Sequence, residues 1–589
     1  MNGSLVMKIA SFFCRAALSL GFFAFSLASS IAYERLDQQS GATAAPWDEA
    51  AWSQFYLESQ GSRMIPWKWA RALKLSDGKS IAEGLTRYGY LPNPQNPNGL
   101  PVGFTVTNDG YLGPNCAACH TRQIEIGGKD YRIDGGPSLA DMGSLWADLD
   151  EAVGKALATP AAFAEFSRAV LGANDNPQEQ ARLRIEVDLW HARHNAITAR
   201  GLPKDKPWGA GRIDAVGMIL NRVTGLDIGP GPTHIIYDSI RMADAPVRPP
   251  FLWNAPRQDH TQWPGFADNG DRILAMARNV GQVYGVFGEF FPEPDKTHLL
   301  GFNFTRNNSV DFAGLIQLEH LVERIGPPRW PWPVDYALVE QGRNIYERPY
   351  ENGGCVDCHG VTKGQPRLLN PDTWCTPIQD VGTDAREYQY FAPDWQVPSG
   401  ALEGAQIPFV SPALNKTEAP VAILGTAVRG AILQHFIPIT ASESDRRKAQ
   451  LALSVLQPLV EELKGAYTMP GAPGAGRWAC ARAPETEGKF KYESRVMQGI
   501  WAAAPYLHNA SVPSLAELLK PPQMRVSSFK VGPAYDLGTV GLATEQPKST
   551  FTMQTDCDRR SGVSHCGHDY GTALGEAEKK ALLEYLKTL

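Results

Sequence analysis

The chain has 589 residues, of which 43% are hydrophobic and 20% charged, a composition typical of a soluble globular protein with room for about two to four domains. The formal net charge of −6 provides no basic surface, which excludes a nucleic-acid partner. Pro and Gly are plentiful, with 45 and 56 residues, and predict long irregular connections between short helices.

The N-terminus has the pattern of an export signal. Lys8 and Arg15 precede an apolar run that continues to Ala28. Ser30 and Ala32 then fit a cleavage site between small residues. We therefore predict a signal peptide over residues 1–32 and export to a bacterial periplasm, the alternative being an uncleaved N-terminal anchor. No later stretch is long and apolar enough to cross a bilayer, so we expect no transmembrane domain in the mature chain.

Two copies of the pattern Cys-x-x-Cys-His carry the strongest chemical signal. In c-type cytochromes both thiols of this pattern bond to haem, and the adjacent imidazole binds one face of the iron. A single copy also fits a zinc half-site or a redox-active thiol pair, but two copies among only nine cysteines favour haem. We predict two covalently bound haem c groups, held by Cys116, Cys119, His120, Cys355, Cys358 and His359.

The long stretch between the two motifs is more than one small cytochrome fold needs. Residues 145–220 place apolar side chains at helical spacing, and so do residues 273–286. Residues 245–270 are rich in Pro, Trp and Asn and predict a loop or an extended segment. The sequence therefore predicts a helical insertion between the motifs.

A proline-rich segment at residues 327–333 predicts a stiff linker, because proline blocks helix on both sides of itself. We place the domain boundary there, with an N-terminal haem domain and its insertion over 33–329 and a C-terminal haem domain over 330–589. Helices are predicted at 336–346 and 574–586. The predicted fold is mainly α, with two cytochrome c-type haem domains and few strands.

Four cysteines remain once the signal peptide and the haem motifs are set aside, and an even number in an exported protein predicts two disulfides. Three pairings are open. We favour a short loop closed by Cys557 and Cys566, which leaves Cys375 to pair with Cys480.

Three further features carry a family resemblance: Pro250–Asn254 followed by Gln262–Gly265, the segment Ala504–Leu515, and the order of these segments along the chain. Together they resemble the bacterial dihaem cytochrome c peroxidase and MauG-like superfamily. Gly209–Asp214, Gly567–Thr572 and the wide spacing of the motifs are most similar to its large branch related to the rubber oxygenases.

The resemblance implies roles for residues outside the motifs. Trp263 takes the place of the tryptophan between the haems and is the candidate electron relay. The second ligand of the C-terminal haem is His568, with His508 and Met524 as alternatives. The N-terminal haem is then the reactive centre, and residues 277–289 supply its distal pocket.

Two kinds of distal pocket remain open. A peroxidase needs an acid–base group over the iron, for which Glu289 is the carboxylate in this segment. Gln282 or Asn279 could add hydrogen bonds. An oxygenase pocket would be apolar instead, with Tyr284 or Phe287 shielding dioxygen.

The sequence thus predicts a periplasmic dihaem oxidoreductase in which one haem activates hydrogen peroxide or dioxygen and the other relays electrons. Its partners would be a small electron-donor protein or a small-molecule substrate. The alternatives are an electron-transfer cytochrome with no open iron and a MauG-like enzyme that oxidises a partner protein. Related peroxidases bind calcium between their haem domains, but no compact acidic loop in this chain supports it.

Overall fold

A computed structural model describes residues 33–298, 300–407, 410–436, 462–464, 480, 482–484, 486–549 and 551–589. The predicted signal peptide lies outside these residues. About 38% of the described residues are helical and 14% are in strands. The expectation of a mainly α fold with two haem domains was therefore wrong. The strands are two to six residues long, too short for a period-two pattern to reveal them in the sequence.

The helical insertion predicted between the motifs is present. Three helices, Met142–Leu157, Pro160–Leu171 and Pro177–Arg200, follow the first motif. Side chains of Thr159 and Asn176 cap the last two by accepting backbone N–H groups, and each of these helices has proline in its first position. The insertion packs on residues 64–104 and has its own hydrophobic core, separate from the main one.

The remaining α-helices are short or lie around the two motifs. They are Glu49–Leu57, Trp67–Ala72, Ile81–Gly84, Cys116–Cys119, Ala215–Arg222, Arg272–Gly285, Phe312–Val322, Tyr336–Tyr346, Val356–His359, Pro420–Phe436, Leu515–Leu518 and Glu576–Lys587.

The strands of the described residues form two three-stranded and seven two-stranded sheets. The larger ones combine Glu34–Arg35, Lys129–Asp134 and Thr121–Ile126, and Ile65–Pro66, Tyr111–Pro114 and Phe104–Val106. The pairs are Glu293–Pro294 with Phe302–Asn303, Ile325–Pro328 with Gln38–Ser40, Ile378–Gln379 with Tyr492–Glu493, Val397–Pro398 with Thr417–Glu418, Ser528–Val531 with Phe551–Gln554, Tyr535–Asp536 with Gly541–Leu542, and His260–Thr261 with Ala267–Asp268.

The predicted linker is a packed brace. Its tryptophans, Trp330 and Trp332, lie edge-on against the buried Trp501, with ring centroids 5.1 and 5.9 Å away. Trp332 also contacts Tyr131 at 5.4 Å, which joins the part before the linker to the part after it. The domain boundary at this segment stays a prediction.

The two helices predicted around the second motif are confirmed as Tyr336–Tyr346 and Glu576–Lys587, and they pack closely together. A Cβ atom at Gly342 would lie 2.0 Å from the carbonyl oxygen of Ala581. Only glycine permits this approach of the two backbones. Both predicted disulfides, Cys375–Cys480 and Cys557–Cys566, are confirmed. Among the described residues, none of the helices combines the length and apolar character needed to span a membrane.

Candidate haem-binding cavities

The first motif forms one helical turn, Cys116–Cys119, that faces a largely apolar cavity, here named the first cavity. The side chain of Asn115 caps this turn by accepting the N–H of Ala117, and its amide donates to the carbonyl oxygens of Phe55 and Glu58. Both thiols of the motif are unpaired and line the cavity together with His120. The turn therefore presents two thiols and an imidazole to one space.

His120 is oriented for metal binding. Its Nδ1 lies 2.9 Å from the carbonyl oxygen of Pro250, and because a carbonyl can only accept, Nδ1 carries the proton. Burial lowers the pKa of His120 to about 4, so the ring is neutral. The lone pair on Nε2 is then available, as in metal-bound histidines whose other nitrogen is held by the protein.

The second motif repeats this arrangement in the second cavity, which is lined by Cys355, Cys358, His359 and His568. Nδ1 of His359 donates to the carbonyl oxygen of Arg495 at 2.8 Å. Burial lowers the pKa of His359, which again favours the neutral ring.

His568 lies opposite His359, with 6.1 Å between the ring centroids. Two imidazoles bound through about 2 Å bonds to one metal between them would have ring centres roughly 6.3 Å apart. Nδ1 of His568 is buried and has no hydrogen-bond partner among the described residues. Burial lowers the pKa of His568 to about 3, so this ring is also neutral.

The backbone of His568 is held in place by its neighbours. Gly567 has φ +82°, and a Cβ atom there would lie 2.2 Å from the carbonyl carbon of Gly382. Arg525 donates to the carbonyl oxygens of both Gly567 and His568, at 2.8 Å each. Of the alternative ligands, His508 also lines this region but stacks on Tyr492, whereas the side chain of Met524 is on the surface, 69% exposed.

The predicted distal segment borders the first cavity in part. Arg278, Asn279, Gln282 and Val286 lie along one side of the helix Arg272–Gly285 and its end, and all line the cavity. Gln282 is four residues after Arg278, three after Asn279 and four before Val286, which places these positions along one face. Apolar residues of the helix Ala215–Arg222 also line the cavity.

Tyr284 and Glu289, the two distal residues predicted as catalytic, do not line the first cavity. Tyr284 follows Gln282 by two residues and therefore points away from the face that lines the cavity, where its hydroxyl accepts a hydrogen bond from Asn308 at 2.9 Å. Glu289 lies beyond the end of the helix and pairs with Arg63 at 2.7 Å in a separate cavity.

A carboxyl group that sequence reasoning missed does line the first cavity. Glu387 is buried, and its Oε2 has no hydrogen-bond partner among the described residues. Burial, together with the nearby carboxyls of Asp214, Asp384 and Glu493, raises the pKa of Glu387 well above its ordinary value. Glu387 follows the second motif in the chain, so no local pattern assigns it to the first cavity.

Trp263 lies in the wall between the two cavities. It lines the first cavity and also the space beside His359 and His568. Its Nε1 donates to the carbonyl oxygen of Arg248 at 3.0 Å, and the guanidinium of Arg248 lies 5.0 Å from its ring centroid. The predicted relay residue is therefore between the two motifs.

Buried donors in this wall fit the carboxylates of a haem. Nη1 of Arg248 and Nε of Arg495 are buried without a hydrogen-bond partner among the described residues, and both side chains line the first cavity and the space beside His359 and His568. A guanidinium binds a carboxylate strongly in such a place. With the thiols and neutral imidazoles, the residues of both cavities fit haem c.

Comparison with known proteins finds a cytochrome c-like stretch in this chain. Residues 491–530, which include Arg495 and His508, match the family model described as RoxA-like, cytochrome c-like. The chain is 26% identical to the uncharacterized protein y4iJ of Sinorhizobium fredii over 92% of this chain and 93% of that protein. It is 31% identical to the uncharacterized protein y4iM of the same organism over 58% of this chain and 63% of that protein.

The family model supports the rubber-oxygenase-like part of the resemblance and not its peroxidase or MauG-like part. A RoxA-like, cytochrome c-like region implies haem c and indicates either an oxidoreductase or an electron-transfer protein. Residues 491–530 are thus similar to RoxA-like cytochromes, and this similarity suggests a haem-based oxidoreductase or electron-transfer role.

Proposed function

We propose that the protein is an exported dihaem c-type oxidoreductase with one open and one closed iron. Cys116, Cys119 and His120 would hold the haem of the first cavity, which would supply the oxidant-activating chemistry. Cys355, Cys358, His359 and His568 would hold the haem of the second cavity, which would supply electrons.

The main support for this proposal is that a second histidine faces His359 in the second cavity, whereas no described histidine faces His120 in the first. His359 faces His568 at a ring distance suited to one shared metal. Among the described residues that line the first cavity, His120 is the only histidine. A haem with two strong protein ligands transfers electrons, whereas a haem with a free face binds dioxygen or peroxide.

The protein's own residues define what happens at the open face. Val216, Ile219 and Val286 give the cavity an apolar wall that excludes water, and Gln282 offers an amide for hydrogen bonding. Glu289, the acid expected for peroxide chemistry, lies outside the cavity, but the buried carboxyls of Glu319 and Glu387 line it. The apolar wall and the RoxA-like match favour dioxygen as the oxidant, and the two carboxyls support hydrogen peroxide as the alternative.

The proposal also includes the compartment in which the enzyme works and the partners with which it reacts. Two disulfides and haem c support an oxidising, periplasmic compartment. A small redox protein would reduce the second haem, and a small-molecule substrate would be oxidised at the first.

One observation favours the alternative of a pure electron carrier. Met218 lines the first cavity, and its thioether is a known type of haem ligand. Ligation by Met218 would close the first iron as well.

Carbon monoxide titration of the dithionite-reduced holoprotein tests the proposal. We expect one carbon monoxide per two haems. Absence of binding would contradict an open iron and leave the electron carrier. Mixing the reduced protein with dioxygen or with peroxide in separate stopped-flow experiments then identifies the faster oxidant.

A further inference from the structure

The two proximal histidines are joined by a short continuous set of bonds. His120 donates from Nδ1 to the carbonyl oxygen of Pro250 at 2.9 Å, and the next carbonyl, that of Phe251, accepts a hydrogen bond from Nη2 of Arg495 at 2.9 Å. The backbone carbonyl of Arg495 in turn accepts from Nδ1 of His359 at 2.8 Å. Two residues of one segment and one arginine therefore connect the rings.

We propose that Pro250, Phe251 and Arg495, here named the arginine bridge, form the main electron route between the two haem sites. This inference rests on the proposed function. With haem held at both sites, one electron would pass from the group bound by His359 to the group bound by His120. No bond breaks, and the guanidinium keeps all its protons.

Arg495 is held rigidly enough to serve as a fixed link. Its side chain is 5% exposed, and Nη1 pairs with the buried carboxylate of Glu493 at 2.8 Å. Its guanidinium carbon also lies 4.5 Å from the ring centroid of Phe251. A buried, hydrogen-bonded pair of this kind keeps one geometry, so the link to Phe251 persists.

Trp263 is joined to the same two segments by a longer path. Its indole N–H ends on the carbonyl oxygen of Arg248, two residues before Pro250. Its backbone carbonyl accepts from the N–H of Glu493, two residues before Arg495. Electronic coupling through covalent and hydrogen bonds decays more slowly than coupling through space. The bridge is therefore the better connected of the two routes, although Trp263 lies between the cavities.

Arg495→Lys separates the bridge from the ligation of His359. The backbone carbonyl that holds His359 is unchanged, and lysine keeps the positive charge beside Glu493. Its single ammonium group lacks the planar fork that lets arginine bind Glu493 and Phe251 together. Trp263→Phe interrupts the other route. Arg122→Lys is the matched control, because Arg122 is buried and bonds a backbone carbonyl but lines neither cavity.

The measurement is stopped-flow oxidation of the fully reduced protein by hydrogen peroxide, which reaches only an open iron. The ferrous absorption band of the closed haem reports the electron that it gives up. The rate of this oxidation is measured at peroxide concentrations high enough that it no longer rises with concentration. Electron transfer between the two sites is then the limiting step. Visible spectra, carbon monoxide stoichiometry and both reduction potentials are measured for each variant.

We expect Arg495→Lys to slow this step several-fold beyond what any accompanying shift of the two reduction potentials explains, because the variant removes one link of the bonded route. Trp263→Phe should slow it less and Arg122→Lys not at all. An unchanged rate in Arg495→Lys, or a slowing matched by shifted potentials, would overturn the bridge.

A second variant and the carbon monoxide measurement distinguish failure of the variant, of the bridge and of the proposed function. If Arg495→Lys does not fold, the double variant Arg495→Gln with Glu493→Gln removes the buried charge pair as a unit, and the same slowing is expected. A parent protein that binds no carbon monoxide would overturn the proposed function itself, whereas normal binding with an unaltered rate would overturn the bridge alone.

Discussion

The two cavities start from the same five-residue motif and diverge in what faces the proximal histidine. In both, the Nδ1–H of the ring is held by a backbone carbonyl and burial keeps the ring neutral. Across the second cavity stands another neutral imidazole, that of His568. The first cavity has apolar side chains, amides and buried carboxyls instead. The motif therefore fixes attachment, and residues far from it in the chain decide whether the iron is open.

Removing one haem at a time would test this difference most strongly. Cys116→Ser with Cys119→Ser should leave a protein with one covalent haem that binds no carbon monoxide, because only the closed site remains. The matched pair, Cys355→Ser with Cys358→Ser, should leave one haem that binds it fully. Pyridine haemochrome spectra count the haems. Carbon monoxide binding by the first double variant would show that the cavities are assigned the wrong way round.

Opening the second cavity is a smaller perturbation. His568→Ala removes the facing imidazole, so carbon monoxide bound to the reduced protein should rise from one to two per chain. His508→Ala is the control, since His508 lines the same region but stacks on Tyr492. Its stoichiometry should stay at one. A rise in His508→Ala and none in His568→Ala would transfer the ligand role to His508.

The buried carboxyl of Glu387 in the first cavity predicts a modest dependence of stability on pH. The pKa of Glu387 is raised above its ordinary value of 4.5, so above that pH the folded protein keeps a proton that the unfolded chain releases. Stability therefore falls as pH rises from this value towards the folded pKa. The slope is at most about 1.4 kcal/mol per pH unit for one group.

Glu387→Gln abolishes this titration with little change of shape. Thermal unfolding of the holoprotein at pH 5 and pH 8 should show the variant gaining stability relative to the parent at the higher pH. The neighbouring carboxyls are coupled to Glu387, so the difference reports the loss of Glu387 together with its effect on them. A constant difference between the two pH values would mean that Glu387 is ionised in the folded protein.

Local patterns predicted the parts of the molecule that local chemistry determines. The motifs, the insertion helices, the Cys557–Cys566 disulfide and the helices around the second motif follow from short-range spacing and are present. The pair Cys375–Cys480 followed only because these two cysteines remained. The pairing of His568 with His359 agrees with the resemblance. Tyr284 and Glu289 were predicted as distal residues only because they belong to residues 277–289. Tyr284 lies on the face of the helix Arg272–Gly285 that is turned away from the first cavity, and Glu289 lies beyond the end of this helix.

The remaining features depend on long-range contacts that no local pattern encodes. Glu387 reaches the first cavity although it follows the second motif, and Arg495 reaches it from still further along the chain. The many two-residue strands are defined only by their partners. For the same reason the fold class was wrong while most of the individual helices were right.

The cysteine pattern has a consequence for how the protein can be produced. Cys557 and Cys566 are nine residues apart, whereas Cys375 and Cys480 are separated by 105, so chain entropy favours early closure of the short pair and leaves Cys375 unpaired for longer. During that time Cys375 would be available to react with a free thiol of a haem motif, of which Cys358 is the nearest in the sequence. A recombinant host that oxidises thiols faster than it attaches haem would therefore accumulate protein with a non-native disulfide at the second motif. The yield of active protein would depend on which of these two reactions comes first.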